Sequence, residues 1–134
     1  MIEGREIKIN GDGETSRDFC YIANAIQANL LAAATQDCNA VNQVDNVAVG
    51  DQLSLNELYA EIRGLLAPDH QNLNEAKPKY GPFRAGDVRY SLADVTKARR
   101  LLGYEPTHRI AEGLNIAVRW YLDRVRLLSP TVVP

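Results

Sequence analysis

Apolar residues recur along this chain with two different periods, and each change of period marks an element. Residues 6–10 (EIKIN) alternate polar and apolar side chains, which predicts a short strand, and Gly11-Asp12-Gly13 ends it with a turn signal. Residues 17–21 (RDFCY) read as a second short extended piece. From Ile22 the period lengthens, with Ile22, Ile26, Leu30 and Ala33 on one face of a helix reaching about residue 35. Residues 36–43 are polar and loop-like. Residues 44–49 (VDNVAV) place Val44, Val47 and Val49 ahead of Gly50 and predict a buried strand.

Ser54 and Glu57 then carry the reciprocal signature of a helix start, a serine oxygen for an orphan amide and a carboxylate reaching back. Leu55, Leu58, Tyr59, Ile62, Leu65 and Leu66 follow as one stripe, and Pro68 closes it. Residues 69–83 hold Pro78 and Pro82 and predict the least regular stretch. Ser91 and Asp94 repeat the capping pattern before Leu92, Val95, Leu101 and Leu102, with Gly103 as a natural stop. A last helix is predicted over residues 110–128, its apolar side running through Leu114, Val118, Tyr121 and Val125, and prolines mark 129–134 as a frayed tail. Tyr59 and Tyr121 sit on apolar stripes and are expected in the core, with Trp120 packed near the last helix. The fold class is mixed α/β: a small lobe of about four helices and two or three short strands, too few strands for a self-sufficient sheet.

Composition narrows the reading. A chain of 134 residues suits one domain, and 46% hydrophobic against 24% charged residues places it with folded globular chains. The net charge of -2 comes without any Lys/Arg block, which argues against a nucleic-acid partner. No apolar run is long enough to span a bilayer, and the first residues lack the apolar stretch of a signal peptide, so no membrane is expected. Cys20 and Cys38 are lone thiols without metal-ligand spacing, which fits a reduced, cytoplasmic setting.

Two constellations could carry chemistry. The glycines in residues 11–19 (GDGETSRDF) invite a dinucleotide-binding reading, but the third glycine is missing and an extended piece, not a helix, follows. A polar turn joining two strands is the better account of the glycines, while Arg17 at its exit is free to project to one side. Residues 83–90 (FRAGDVRY) place an arginine, a glycine and an aspartate close together. A guanidinium fork matches phosphate oxygens, and a carboxylate accepts two hydrogen bonds from vicinal ribose hydroxyls. Taken alone, such an Arg/Asp pair is more often a solvated surface feature. His70 and His108 lie far apart without partners at helical spacing, so no metal site is expected, and no Ser/His/Asp or Cys/His set assembles.

In order, INGDGETSRDFCYI, QANLLAA, NVAVG, FRAGDVR, SLADVTKARRLLGYEP and EGLNIAVRWY resemble the carboxy-terminal portion of NAD-dependent nucleotide-sugar epimerases, extended members of the short-chain dehydrogenase/reductase superfamily. The resemblance is strongest to bacterial UDP-N-acetylglucosamine 4-epimerases and covers nearly all of residues 6–122. It implies that Arg17 contacts the UDP diphosphate, that Arg84 and Asp87 bind phosphate and ribose, and that Lys8, Ile9 and Asn10 run beside the uridine. Asn46 near the base and Ser91 are further implied substrate contacts.

The family's cofactor fingerprint and catalytic Ser and Tyr-x-x-x-Lys belong to an amino-terminal Rossmann domain, which is expected to be absent here. The residues four places after the tyrosines are Ala25, Arg63, Arg84, Asp94, His108 and Val125, and none is lysine. The expectation is therefore a UDP-sugar-binding lobe over residues 1–128, with weak ligand binding, no catalytic residues and no cofactor of its own, NAD belonging to the full-length family. A free-standing binding or structural module that keeps the fold is the alternative. The surface that the Rossmann domain normally covers implies a homo-oligomer, through residues 6–21 or by exchange of a terminal helix.

Overall fold

The computed structural model describes residues 1–128; the tail expected at residues 129–134 lies outside the described residues. Strands β1 (Lys8–Asn10) and β2 (Ser16–Arg17) are followed by helix α1 (Ile22–Ala34), strand β3 (Leu53–Ser54), helix α2 (Leu55–Leu66), strand β4 (Lys79–Gly81) and helices α3 (Thr96–Leu102) and α4 (Ile110–Leu128). The mixed α/β class and the four helices agree with the pattern reading. The strands form two small sheets. β1 pairs in parallel with β4, Lys8 opposite Lys79 and Ile9 opposite Tyr80. β2 pairs antiparallel with β3, Ser16 opposite Ser54.

Helix α2 starts where its sequence says it should. The Glu57 amide donates to Ser54 Oγ at 3.2 Å, and the Ser54 amide donates to Glu57 Oε2 at 2.8 Å, closing the capping box. The second expected box does not form. α3 begins at Thr96, whose amide donates to Asp94 Oδ1 at 2.9 Å, and Ser91 takes no part. Gly103 ends α3 in the left-handed conformation, as expected.

Several expectations are corrected. Residues 44–49 form no strand. Ala48 and Val49 are buried, but they are held by side chains: Asp18 accepts the Val49 and Gly50 amides at 3.0 Å each, and Tyr104 donates its hydroxyl to the Ala48 carbonyl at 2.7 Å. Residues 69–83 are more regular than expected, because β4 lies there, recruited by β1 across a long sequence separation. The extended piece expected over residues 17–21 is a strand only at Ser16–Arg17.

The face of α1 is also different. Ile22, Ile26 and Leu30 are each more than half exposed, while Asn24 and Ala28 are buried and Leu31 packs on the core. A helix without any charged residue gives its pattern no contrast, so the apolar stripe does not reveal the buried side. The small core of Ala28, Ala48, Val95, Ala98 and Tyr104 lets α1 and α3 approach closely. Asn24, fully buried, latches α1 to the segment before α4: its Nδ2 donates to the His108 carbonyl at 2.8 Å, and its Oδ1 accepts the His108 amide at 3.1 Å and the Thr107 hydroxyl at 3.2 Å. Tyr59 is buried on α2, but Tyr121 is exposed on α4, with Trp120 edge-on beside it.

Candidate functional site

The site grows out of the glycine turn. Gly11 and Gly13 have φ of 73° and 80°, the left-handed region. Both are also crowded: a Cβ on Gly11 would stand 2.5 Å from the Phe83 ring, and one on Gly13 would stand 1.9 Å from Asn56 Oδ1. Asn56, in the first turn of α2, closes the turn by donating from its backbone amide to the Gly13 carbonyl at 3.0 Å and from Nδ2 to Glu14 at 2.7 Å. Tyr80 on β4 donates to Asn56 Oδ1 at 2.9 Å. The turn leads into β2 and not into a helix, and Asn56 fills the space a pyrophosphate would need, so these residues do not fit a dinucleotide cofactor.

β2 is flanked on both edges. Thr15 and Arg17 face β3, with the Thr15 carbonyl accepting the Leu55 amide at 3.0 Å. The other edge carries Ser16, whose amide donates to the Arg89 carbonyl at 2.8 Å and whose carbonyl accepts the Ser91 amide at 3.2 Å. Residues 89–91 therefore run alongside β2, with Tyr90 in parallel register with Ser16. This pairing fixes the 83–90 loop against the turn, and it places Arg17 Nη2 in an ion pair with Asp87 Oδ1. Arg17 Nη1 also donates to the Ser16 carbonyl at 2.7 Å, which aims the guanidinium. The two side chains are 29% and 35% exposed, so a polar ligand can reach both.

The remaining expected residues are less concentrated. Arg84 opens the same loop, is exposed, and pairs with no carboxylate among the described residues. Ser91 joins through its backbone bond to Ser16. Asn46 lies on the 41–50 loop, where its Nδ2 donates to the Asp94 carbonyl at 3.2 Å, so it braces the start of α3. Lys8 and Asn10 are exposed on β1 and Ile9 is buried between them. All three line an apolar groove of about 740 Å³ between the first residues, α2 and α4, and neither Arg17, Arg84 nor Asp87 reaches that groove.

Sequence reasoning missed a second ion pair. Arg89 Nη2 donates to Asp12 Oδ2 at 2.7 Å and Nε to the Tyr90 hydroxyl at 3.2 Å. The guanidinium lies 5.6 Å from the Phe83 ring centre and 5.7 Å from that of Tyr90. The bond from Arg89 holds the Asp12 carboxyl below its ordinary range, and the same bond pushes Arg89 upward. The available signal was Asp87 and Arg89, two residues apart and opposite in charge to Arg17 on β2 and Asp12 in the turn.

Convergent arginines and an aspartate beside a glycine turn suit a phosphate-bearing ligand with a diol. The profile of the GDP-mannose 4,6-dehydratase family matches residues 1–117. The chain belongs to that family. Among curated relatives, a UDP-glucose 4-epimerase of Mycolicibacterium smegmatis is 33% identical over 92% of this chain and 37% of its own length. Among solved structures, a UDP-glucose 4-epimerase from Thermotoga maritima, crystallised with UDP-glucose, superposes with a TM-score of 0.82 at 35% identity, covering 93% of this chain and 37% of that one. A UDP-N-acetylglucosamine 4-epimerase from Methanobrevibacter ruminantium, in complex with UDP-N-acetylmuramic acid, gives a TM-score of 0.78 at 31% identity, covering 92% and 36%. The resemblance to nucleotide-sugar epimerases is thus borne out, and the chain spans a little over a third of the relatives it matches. Among the described residues no helix is long and apolar enough to cross a membrane.

Proposed function

We propose that residues 1–128 are the UDP-sugar-binding lobe of a nucleotide-sugar 4-epimerase, of the UDP-N-acetylglucosamine type, working in the cytoplasm and incomplete for catalysis alone. The observation that carries this reading is the meeting of Arg17 with Asp87 on a loop that also presents Arg84. In it, Arg17 and Arg84 hold the diphosphate by charge-assisted bonds, and Asp87 accepts the ribose hydroxyls. Lys8, Ile9 and Asn10 run beside the uridine, and Asn46 and Ser91 stand at the periphery. Solved relatives carrying UDP-sugars support the ligand class. NAD in the full-length family would supply the hydride acceptor, and this chain's part is to hold the substrate. The reading includes self-association through residues 6–21 or by exchange of a terminal helix. The exposed Ile22, Ile26 and Leu30 next to that segment support it, and a strictly monomeric mass in light scattering at high concentration would refute it.

Titration with UDP and UDP-sugars, followed by amide shifts, tests the reading. The site is open to water, so UDP should bind weakly, with a dissociation constant on the order of millimolar. Shifts should appear at residues 15–18 and 83–91, with smaller ones at residues 8–10 beside the uridine, and Arg84→Ala should weaken binding more than Lys79→Ala does. Shifts confined to the apolar groove, or none at all, would remove this proposal. No conversion of UDP-N-acetylglucosamine to its 4-epimer is expected, with or without NAD.

A further inference from the structure

Two ion pairs cross between the same two segments with their charges reversed. The turn gives an acid, Asp12, to a base on the loop, Arg89; β2 gives a base, Arg17, to an acid on the loop, Asp87. The two are not equivalent. A nucleotide that engages Arg17 and Asp87 must exchange their bond to each other for bonds to itself, and the loop then loses one of its fastenings. Arg89 is held by Asp12, by the Tyr90 hydroxyl and by two aromatic rings, and its carbonyl accepts the Ser16 amide. Its side chain is 41% exposed, so burial does not set the two pairs apart; the number of partners within the protein does.

We infer that Asp12 and Arg89 form a holding tie, which keeps the 83–90 loop in register on β2 while the ligand displaces the Arg17–Asp87 pair. The inference rests on the nucleotide reading of this site and assigns Arg89 a positioning role outside the contact set. A loop fastened only by Arg17 and Asp87 would come loose as the ligand arrived, so part of each new contact would be lost to ordering the loop. With the tie in place, Arg84 and Asp87 stay aimed at the ligand as the other pair opens.

The test is a double-mutant cycle on UDP affinity in the full chain, using Asp12→Asn, Arg89→Ala and both together. Each single change should weaken UDP at least fivefold, and the double variant should be no weaker than Arg89→Ala. The bond to Asp12 runs through one nitrogen, which a lysine ammonium can replace, so Arg89→Lys should recover affinity to within about threefold of the parent. Affinity of Arg89→Ala within twofold of the parent overturns the tie. So do multiplying losses in the double variant, because Arg89 would then be meeting the ligand itself. If the parent binds no UDP, the nucleotide reading fails. The tie is then judged by hydrogen exchange at the Ser16 and Asp87 amides: at least tenfold faster exchange in Arg89→Ala supports it, and unchanged exchange overturns it.

Discussion

Asn24 and Arg17 stand on either side of Cys20, and each joins distant parts of the chain through its polar end. Asn24 is sealed from water and makes three bonds to residues 107 and 108. Arg17 makes an ion pair that water can reach. The difference is one of surroundings more than of bond type. A buried polar group has no substitute partner, so breaking its bonds leaves a desolvated donor or acceptor. A half-exposed pair can trade its partner for water or a ligand at small cost. The molecule keeps its sealed fastenings at Asn24 and Tyr104. At the edge of β2, Arg17 with Asp87 is the exchangeable pair, while Arg89 is retained by the number of its partners and not by burial.

Mutations can break this contrast, and the largest effect belongs to the interior. Asn24→Ala removes three bonds and strands the His108 backbone, so it should lower stability by about 3 kcal/mol in chemical denaturation. Tyr104→Phe leaves the Ala48 carbonyl without its hydroxyl partner and should cost about 2 kcal/mol. Burial pushes the Tyr104 hydroxyl up to about 12. Its folded value thus exceeds the unfolded value near 10, so the folded chain holds a proton that the unfolded chain releases. Stability should fall as pH rises from 10 toward 12, and tyrosinate absorbance with a denaturant series will show whether Tyr104→Phe abolishes that fall.

At the edge, effects on stability should shrink while effects on binding grow. Ser54→Ala removes the α2 cap and should cost about 1 kcal/mol, visible as a lowered denaturation midpoint. Arg17→Ala should change stability by less than about 0.5 kcal/mol yet abolish detectable UDP binding, which places it opposite Asn24 on both axes. The smallest effect is acidic. Asp12, Glu57 and Asp94 are held below their ordinary range by bonds from Arg89, from the Ser54 amide and from Thr96. Their contributions are present above the usual carboxylate range near 4 and are lost as pH falls through the lowered values. Carboxyl-carbon titration should show all three titrating below their ordinary range, with Asp12 returning to it in Arg89→Ala.

The same contrast explains which features were legible in the sequence. The start of α2 and the end of α3 follow from local bonds, and Ser54, Glu57 and Gly103 announce them. β4 depends on β1, and nothing in residues 79–81 signals a partner that distant. Residues 44–49 carry the apolar pattern of burial, but the carboxylate of Asp18 and the hydroxyl of Tyr104 satisfy that burial without a ladder. Asp18 reads as a surface acid until Val49, Gly50 and Ala93 are seen donating to it. At the site, the resemblance pointed to Arg17, Arg84 and Asp87, and the structure brings Arg17 and Asp87 together. Asp12 and Arg89 went unnoticed because their pairing exists only once the loop lies along β2.

The parallel union of β1 with β4 also orders events in time. Lys8 meets Lys79 and Asn10 meets Gly81, so nearly all of the intervening chain must be made before this sheet can close. Loop-closure entropy grows slowly with length, so the pairing is not weakened much by its span, but contacts so remote in sequence slow the search for them. On the ribosome, α1 and α2 can form while β1 still waits as an unpaired strand. Asn56 can close the glycine turn at Gly13 and Glu14 once α2 exists, but the Gly11 amide waits for the Gly81 carbonyl and Asn56 Oδ1 for Tyr80, so the proposed binding edge is completed only when β4 arrives.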